Sequence, residues 1–235
     1  RACRPADHHP GRRMTLALEA RALTRVLPGP QQTTLVADVD ASFEPASFTV
    51  ITGPSGSGKS SLLYLLGLLD PPTAGDVLVN GESTRMLGGE ARALKRLSGF
   101  GFVFQFHFLL PELSVLDNVM LPMRQLGRLG ADAMRTRACE LLGSLGMEGE
   151  ARKIPGELSG GQRQRAAIGR ALANDPQFVL ADEPTGALDS KNGAAVFSIF
   201  RGLADEGRTV IVVTHDETLA RAASRAIHIV DGRVA

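Results

Sequence analysis

The sequence is poor in several residue types that mark particular classes of protein. Its 235 residues include no tryptophan, one tyrosine and two cysteines, Cys3 and Cys139. The cysteines form no C-x-x-C pair, so the sequence predicts neither a disulfide framework nor a zinc site, and a reducing compartment is favoured. The formal net charge is only +1. So small an excess of positive charge gives no electrostatic case for nucleic acid as a partner.

Long apolar runs are also missing. A membrane-spanning helix needs roughly 18 apolar residues, whereas the densest apolar stretch, 62–69, covers eight residues and predicts a buried helix. If the protein works at a membrane, we therefore expect another chain to span it. Residues 1–13 contain four arginines, two prolines and two histidines without an apolar centre. This is not the pattern of a secretory signal, and we predict a disordered extension there.

Strand and helix patterns alternate along the rest of the chain. The predicted strands are Leu16–Leu23, Leu35–Phe43, Phe48–Thr52, Asp76–Asn80, Phe100–Phe104, Phe178–Asp182, Thr209–Thr214 and Ala226–Val230. The predicted helices are Lys59–Leu69, Gln162–Asn174, Asn192–Asp205 and Glu217–Ser224. Residues from about 114 to 160 show only helical spacing and predict an inserted helical subdomain. The alternation predicts one α/β domain over residues 14–235, built on a largely parallel sheet.

A phosphate-binding loop is the first chemical motif. The pattern G-x-x-x-x-G-K-[ST] is carried by Gly53, Pro54, Ser55, Gly56, Ser57, Gly58, Lys59 and Ser60, and Ser61 extends the candidate nucleotide site. Glycines let backbone N–H groups approach phosphate oxygens closely, the lysine reaches the β- and γ-phosphates, and the serine hydroxyl is placed to bind Mg²⁺. The loop follows an apolar strand and opens an apolar helix, which is the context that the motif requires.

Two acids at the end of a later strand supply candidate catalytic groups. Asp182 and Glu183 follow the apolar run Phe178–Ala181. At a strand end near the phosphate loop, Asp182 is suited to hold Mg²⁺, and Glu183 to polarise a water that attacks the γ-phosphate. The alternative interpretation is a solvated acidic turn before Pro184.

A second glycine-rich stretch, Leu158-Ser159-Gly160-Gly161-Gln162, precedes a predicted helix. Ser159 is a candidate helix N-cap, which leaves the double glycine unexplained. Together with the phosphate loop, this stretch resembles the ABC-transporter ATPases, and the resemblance runs from about residue 16 to the last residue. It implies the P-loop NTPase fold of an ABC ATPase domain, with an antiparallel β part and an inserted helical subdomain. It also implies that two copies pack head to tail, with ATP between the phosphate loop of one copy and Ser159, Gly160, Gly161 and Gln162 of the other.

Three further positions match the same family. The resemblance implies that Gln105 senses Mg²⁺ and the attacking water, that His215 is the switch histidine at the γ-phosphate, and that Asp189 is the aspartate that crosses the dimer interface. In one respect the chain departs from the family, which usually stacks adenine on an aromatic residue before the phosphate loop. Between Met14 and Ala41 the sequence has no aromatic residue, so Val26 or Leu27 is expected to contact the base instead.

The stretch after Gln105, Phe106-His107-Phe108-Leu109-Leu110-Pro111, looks like the LolD/MacB branch of the family. That branch implies an ATPase at the cytoplasmic face of the inner membrane, driving lipoprotein release or efflux through a permease that docks near Gln105–Leu113. Three alternatives stay open: an FtsE-like regulator of a cell-envelope or division complex, a solute-importer ATPase, and a soluble ABC protein. A nucleotide-binding module without turnover is disfavoured by Glu183 and His215.

Overall fold

The computed structural model describes residues 17–30, 32–216, 220–221 and 223–235, and for residues 190 and 191 it describes the backbone only. The predicted extension 1–13 and half of the predicted helix Glu217–Ser224 lie outside these ranges. Within them, no helix combines the length and the apolar character that crossing a membrane requires.

The larger of two sheets has six strands in the order β10-β9-β3-β8-β7-β6. Their bounds are Phe48–Thr52 (β3), Phe100–Phe104 (β6), Phe178–Asp182 (β7), Thr209–Val213 (β8), Arg225–Val230 (β9) and Arg233–Val234 (β10). All neighbours pair in parallel except β10, which runs antiparallel to β9. The central strands are buried on both faces, which explains their nearly continuous apolar sequence.

The smaller sheet is antiparallel, in the order β2-β1-β4-β5. Its strands are Leu18–Leu27 (β1), Thr33–Phe43 (β2), Ala74–Val79 (β4) and Glu82–Ser83 (β5). Asn80 and Gly81 join β4 to β5 with positive φ angles of 54° and 82°, as a tight hairpin turn requires. Helix α1, Lys59–Leu66, packs on strands of both sheets. It ends at Leu66, three residues before the predicted end at Leu69. Leu68, in the turn that follows, has a positive φ of 59°.

The remaining helices cover the larger sheet and build the helical subdomain. They are Gly89–Gly99 (α2), Val115–Leu126 (α3), Ala131–Ser144 (α4), Gly160–Leu172 (α5) and Ser190–Asp205 (α6). The sequence patterns did not predict α2, and no residue of that helix is buried. Helices α3 to α6 share one hydrophobic core with one face of the larger sheet, whereas α1 belongs to a second core between the two sheets.

The fold brings four strand ends to one edge. In a parallel sheet the carboxyl ends of the strands meet at the same edge, where ligands of α/β proteins bind. Here β3, β6, β7 and β8 are followed by the phosphate loop, Gln105, Glu183 and His215. The antiparallel part and the helical subdomain agree with the predicted α/β fold.

Candidate functional site

The phosphate loop turns sharply between β3 and α1, and two of its glycines are required by close packing. A Cβ atom at Gly53 would lie 2.0 Å from the carbonyl oxygen of Ile229, and one at Gly58 would lie 2.1 Å from that of Leu35. Both residues also have positive φ angles, 143° and 99°, which side chains rarely tolerate. The loop is therefore held tightly against β9 and β2.

The open side of this loop is built to receive an anion. Pro54, Ser55 and Gly56 are exposed, whereas Lys59 is buried and its Nζ donates to the Pro54 carbonyl oxygen at 2.7 Å. The N-cap of α1, Gly58, offers no side-chain acceptor to the first helical N–H groups. Uncapped amides at a helix N-terminus, beside a lysine ammonium, favour a bound phosphate.

Both carboxylate oxygens of Asp182 accept hydrogen bonds. The Ser60 hydroxyl donates to Oδ1 at 2.8 Å, and the Tyr64 hydroxyl donates to Oδ2 at 2.7 Å. Burial, followed by the hydrogen bond to Asp182, raises the pKa of Tyr64 well above its usual range. The motifs predict that Ser60 and Asp182 each bind Mg²⁺, whereas Tyr64 was not predicted as a site residue.

Glu183, the residue after Asp182, forms a pair with His215. Glu183 Oε2 lies 2.9 Å from His215 Nδ1, and the glutamate N–H donates to the Val213 carbonyl oxygen at 2.9 Å. Glu183 has a φ of 46°, a left-handed conformation that non-glycine residues adopt mostly where function or packing demands it. The histidine side chain is 74% exposed, so the pair opens toward solvent.

Gln105 follows the neighbouring strand β6 and joins the cluster formed by Ser60, Asp182, Glu183 and His215. Phe104, just before it, is paired with Asp182 in the β6–β7 register. A Cβ atom at Gly186 would lie 3.1 Å from Gln105 Nε2, so the glutamine packs against the segment that follows Glu183. Gln105 thus lies at the same sheet edge as the two acids.

A second cluster lies at the start of α5. Ser159 and Gln162 form a capping box: Ser159 Oγ accepts from the Gln162 N–H, and Gln162 Oε1 accepts from the Ser159 N–H. A Cβ atom at Gly161 would lie only 2.6 Å from Asn192 Oδ1, and Asn192 also donates to both carboxylate oxygens of Asp189. Through Asn192, the structure therefore joins the exposed Asp189 to the double-glycine stretch.

The two glycines of this stretch differ in how closely other atoms of the same chain pack against them. Packing against Asn192 explains Gly161 within one chain. Gly160 has no such constraint, because the nearest heavy atom to its Cβ would be Leu188 Cδ2 at 3.7 Å, an ordinary contact distance. Ser159 beside it is exposed. The fold of a single chain thus leaves the small size of Gly160 unexplained.

The loop after Gln105 presents apolar side chains to solvent while its backbone is held firmly. Phe106 is 67% exposed and Phe108 is 64% exposed. Arg170 of α5 donates to the carbonyl oxygens of His107 and Phe108, and burial lowers the pKa of that guanidinium. The fully buried Asn118 accepts from the Leu110 N–H and donates to three carbonyl oxygens of the loop and the start of α3. The sequence patterns suggested no role for Asn118 or Arg170 in holding this loop.

The segment before the phosphate loop is the one that lacks an aromatic residue to stack on adenine. Val26 is fixed at the end of β1, where its N–H donates to Thr73 Oγ1 and its carbonyl oxygen accepts from the same hydroxyl. Leu27 is 39% exposed. Leu27 therefore has the side chain that is more available to a ligand.

A protein-family comparison decides the family. The model of the family described as "ABC transporter" matches residues 36–186, which include the phosphate loop, the stretch from Leu158 to Gln162, and the two acids Asp182 and Glu183. The chain belongs to the ABC transporter family. It is an ABC-type ATPase domain with an ATP-binding site, and the resemblance inferred from the motifs is confirmed.

Individual relatives agree with this assignment. The domain is 47% identical over 203 residues to the lipoprotein-releasing system ATP-binding protein LolD 1 of Chlorobium chlorochromatii, covering 86% of this chain and 82% of the relative. It is 47% identical over 201 residues to the macrolide export ATP-binding/permease protein MacB 1/2 of Paracoccus denitrificans, covering 85% of this chain but only 30% of the relative. The chain thus spans most of the LolD relative and about a third of the MacB relative.

Solved structures share the whole fold. The dimeric structure of MJ0796, a bacterial ABC transporter cassette, superimposes with a TM-score of 0.86 at 40% identity, covering 92% of this chain and 96% of the other. A second dimeric structure of MJ0796, a post-hydrolysis state bound to ADP and Pi, matches equally well.

Proposed function

We propose that the chain is the ATP-hydrolysing subunit of a LolD/MacB-type transporter, in which two copies close head to tail on ATP and energise a membrane permease. The observation that carries the proposal is the group at one sheet edge: the phosphate loop, Asp182 held by Ser60, and Glu183 paired with His215. LolD 1 and MacB 1/2, by their names, serve lipoprotein release and macrolide export. We assign this chain to the same kind of work, at the cytoplasmic face of the membrane.

In the proposed reaction, water attacks the γ-phosphorus of ATP and the bond to the ADP oxygen breaks. Phosphate binding falls to the loop amides and to Lys59, whose ammonium exchanges the Pro54 carbonyl oxygen for phosphate oxygens. Glu183 accepts the proton of the attacking water, and His215 holds the glutamate and approaches the γ-phosphate. Gln105 orients the water from the neighbouring strand end.

The residues at the strand end also suit Mg²⁺. A hydroxyl and a carboxylate oxygen lie 2.8 Å apart at Ser60 and Asp182, and Mg²⁺ prefers such oxygen donors alongside substrate phosphates. Ser60 and Asp182 would hold the ion, with Gln105 near it. When bound, it supplies positive charge that neutralises the phosphate oxygens.

The cluster at α5 supplies the other half of each site, in trans. Ser159 is exposed and Gly160 is not required by packing in its own chain, so the surface they form is free to meet the phosphates on a second copy. Gln162 caps the same helix, and Asp189 stands beside it through Asn192. This arrangement explains why one chain carries a single phosphate loop and a separate glycine-rich helix start.

The permease is proposed to dock on the loop Gln105–Leu113 and the cleft beside it. Phe106, Phe108 and Leu110 expose apolar surface there, and exposed apolar patches of this kind mark protein interaction sites. A cavity of about 630 Å³ between α2, β6, α3 and α5 adjoins the strand that leads into this loop. Because Arg170 and Asn118 fix the loop backbone, movement at Gln105 is transmitted to the docked chain.

Replacing both exposed phenylalanines, Phe106→Ser with Phe108→Ser, is expected to reduce co-purification of the permease at least tenfold, because buried aromatic side chains dominate interface energetics. Co-purification from detergent-solubilised membranes measures the effect. Leu129→Ser is the matched control, since Leu129 is 43% exposed but follows the C-terminal end of α3, whereas the docking loop precedes the N-terminal end. Equal recovery of the permease with both variants would contradict this docking surface.

The missing aromatic residue before the phosphate loop predicts weak discrimination between adenine and guanine nucleotides. A lost aromatic contact is worth roughly 1 kcal/mol, so we expect GTP to compete with ATP better than is usual in the family. Leu27→Tyr restores a ring at the more exposed position and is expected to strengthen ATP binding by about fivefold. Competition titrations with a fluorescent ATP analogue measure both. Wild-type binding of ATP far more tightly than GTP would overturn the idea.

The proposed function is tested by ATP hydrolysis with and without a permease of the proposed type in lipid vesicles. Stimulation by a permease with few spans and a large extracytoplasmic domain supports the transporter assignment. An FtsE-like regulator would couple to an envelope complex without moving substrate, and a solute importer would require a multi-span permease with a binding protein.

A further inference from the structure

The only tyrosine of the chain, Tyr64, lies on α1 one turn after Ser60. Residues four apart in a helix project from the same face, so the serine of the phosphate loop and this tyrosine face the same neighbour. That neighbour is Asp182, at the end of β7. None of the motifs that identify the family includes Tyr64.

The hydrogen bonds at Asp182 divide its two oxygens between these residues. Ser60 Oγ donates to Oδ1 at 2.8 Å, and Tyr64 Oη donates to Oδ2 at 2.7 Å. A carboxylate held through one oxygen can still rotate about its Cβ–Cγ bond, whereas one held through both cannot rotate without breaking a hydrogen bond. The tyrosine thus fixes the plane of the carboxylate, so that one of its oxygens stays directed at the serine.

The tyrosine ring is itself fixed from the other side. It meets Phe104 edge-on, with ring centroids 6.2 Å apart, a favourable geometry for an aromatic pair. Phe104 is the partner of Asp182 in the β6–β7 register and directly precedes Gln105. One side chain therefore contacts both the carboxylate at the end of β7 and the strand that leads to Gln105.

We propose that Tyr64 is a positioning residue for the metal site: it holds the Asp182 carboxylate so that Oδ1 stays directed at Ser60. This inference rests on the proposed Mg²⁺ role of Ser60 and Asp182. Partners that orient a metal-binding carboxylate typically contribute 10–100-fold to metal affinity or activity. The tyrosine acts through Asp182 and has no contact with the reacting atoms in this account.

Tyr64→Phe tests the proposal, because it keeps the ring against Phe104 and removes only the donor. Binding of Mn²⁺ to the ADP complex, followed by electron paramagnetic resonance, is expected to weaken about tenfold. In hydrolysis assays the Mg²⁺ concentration at half-maximal rate should rise by a similar factor, while kcat at saturating Mg²⁺ stays within about twofold. Unchanged Mn²⁺ affinity, or a fall in kcat alone, would overturn the positioning role.

Two further variants distinguish a failure of the proposed Tyr64 role from a failure of the proposed metal site. Asp182→Asn should weaken Mn²⁺ binding more than Tyr64→Phe does. If Asp182→Asn weakens binding and Tyr64→Phe does not, the role of Tyr64 is wrong and the metal site stands. If neither changes Mn²⁺ affinity, the proposed metal site is wrong as well. Ser198→Ala removes a helical hydroxyl that donates to the Ala194 carbonyl oxygen in α6, and it should leave Mn²⁺ binding unchanged.

Discussion

Glu183→Gln should reduce ATP hydrolysis at least 100-fold while leaving ATP binding and ATP-dependent dimer formation intact. The change removes the group proposed to accept the proton of the attacking water, and a general base contributes typically ~10²–10⁴-fold. Glutamine keeps the size of the side chain and can still hydrogen-bond to His215 Nδ1, which lies 2.9 Å from the glutamate in the wild type. Steady-state phosphate release measures turnover, and size-exclusion chromatography with ATP measures the dimer.

The matched control for this variant is Glu206→Gln. Glu206 is a carboxylate on the surface that pairs with Arg208 at 3.2 Å, and a surface pair of this kind contributes little. This control should hydrolyse ATP at the wild-type rate. Near wild-type turnover by Glu183→Gln would remove the glutamate from its catalytic role and leave the phosphate loop as a binding site whose base is another group.

Gly160→Asp should abolish ATP-dependent dimerisation and hydrolysis without weakening ATP binding to a single copy by more than about threefold. The new side chain fits, because the nearest heavy atom to a Cβ there is 3.7 Å away, and an acid in the first turn of a helix is tolerated. Its charge would, however, repel the phosphates of ATP bound to the partner. Equilibrium dialysis with ATP and sedimentation in the Glu183→Gln background separate the two effects.

Two comparisons make this result specific to a role in trans. Gly160→Ala adds a methyl group without charge and should weaken dimer formation less than Gly160→Asp does. Lys59→Ala should lose ATP binding and dimerisation together, since Lys59 belongs to the phosphate loop of the same copy. If Gly160→Asp weakened ATP binding to the monomer as strongly as Lys59→Ala, the glycine would act within its own chain, and the head-to-tail arrangement would be wrong.

The fold was predictable where sequence patterns are local. Buried parallel strands such as Phe48–Thr52 and Phe178–Asp182 have the predicted bounds, because continuous apolar runs ended by a glycine or an acid leave little freedom in assignment. Helix α2 was not predicted, although its eleven residues are amphipathic. It buries none of them, and its Leu94 is 54% exposed.

The site shows the same division between local and distant determinants. The motifs named the phosphate loop and both acids of β7, whose roles stay proposals until the variants are measured. Tyr64 was not predicted because it lies in an apolar helix, where a tyrosine is ordinarily a packing residue. Its contact with Asp182 depends on the approach of β7 to α1, which the sequence does not show. Sequence order also could not distinguish Gly160 from Gly161, because the difference depends on Asn192, about thirty residues further along the chain.

Affinity capture of the chain from detergent-solubilised membranes of its own source, with partners identified by mass spectrometry, tests the central claim most directly. Capture should be repeated with Phe106→Ser/Phe108→Ser to tie any partner to the proposed docking surface. We expect a permease with few spans and a large extracytoplasmic domain, which should be lost with the double variant. A multi-span permease with a solute-binding protein, or no membrane partner at all, would contradict the LolD/MacB-type function and leave the ATPase chemistry to stand alone.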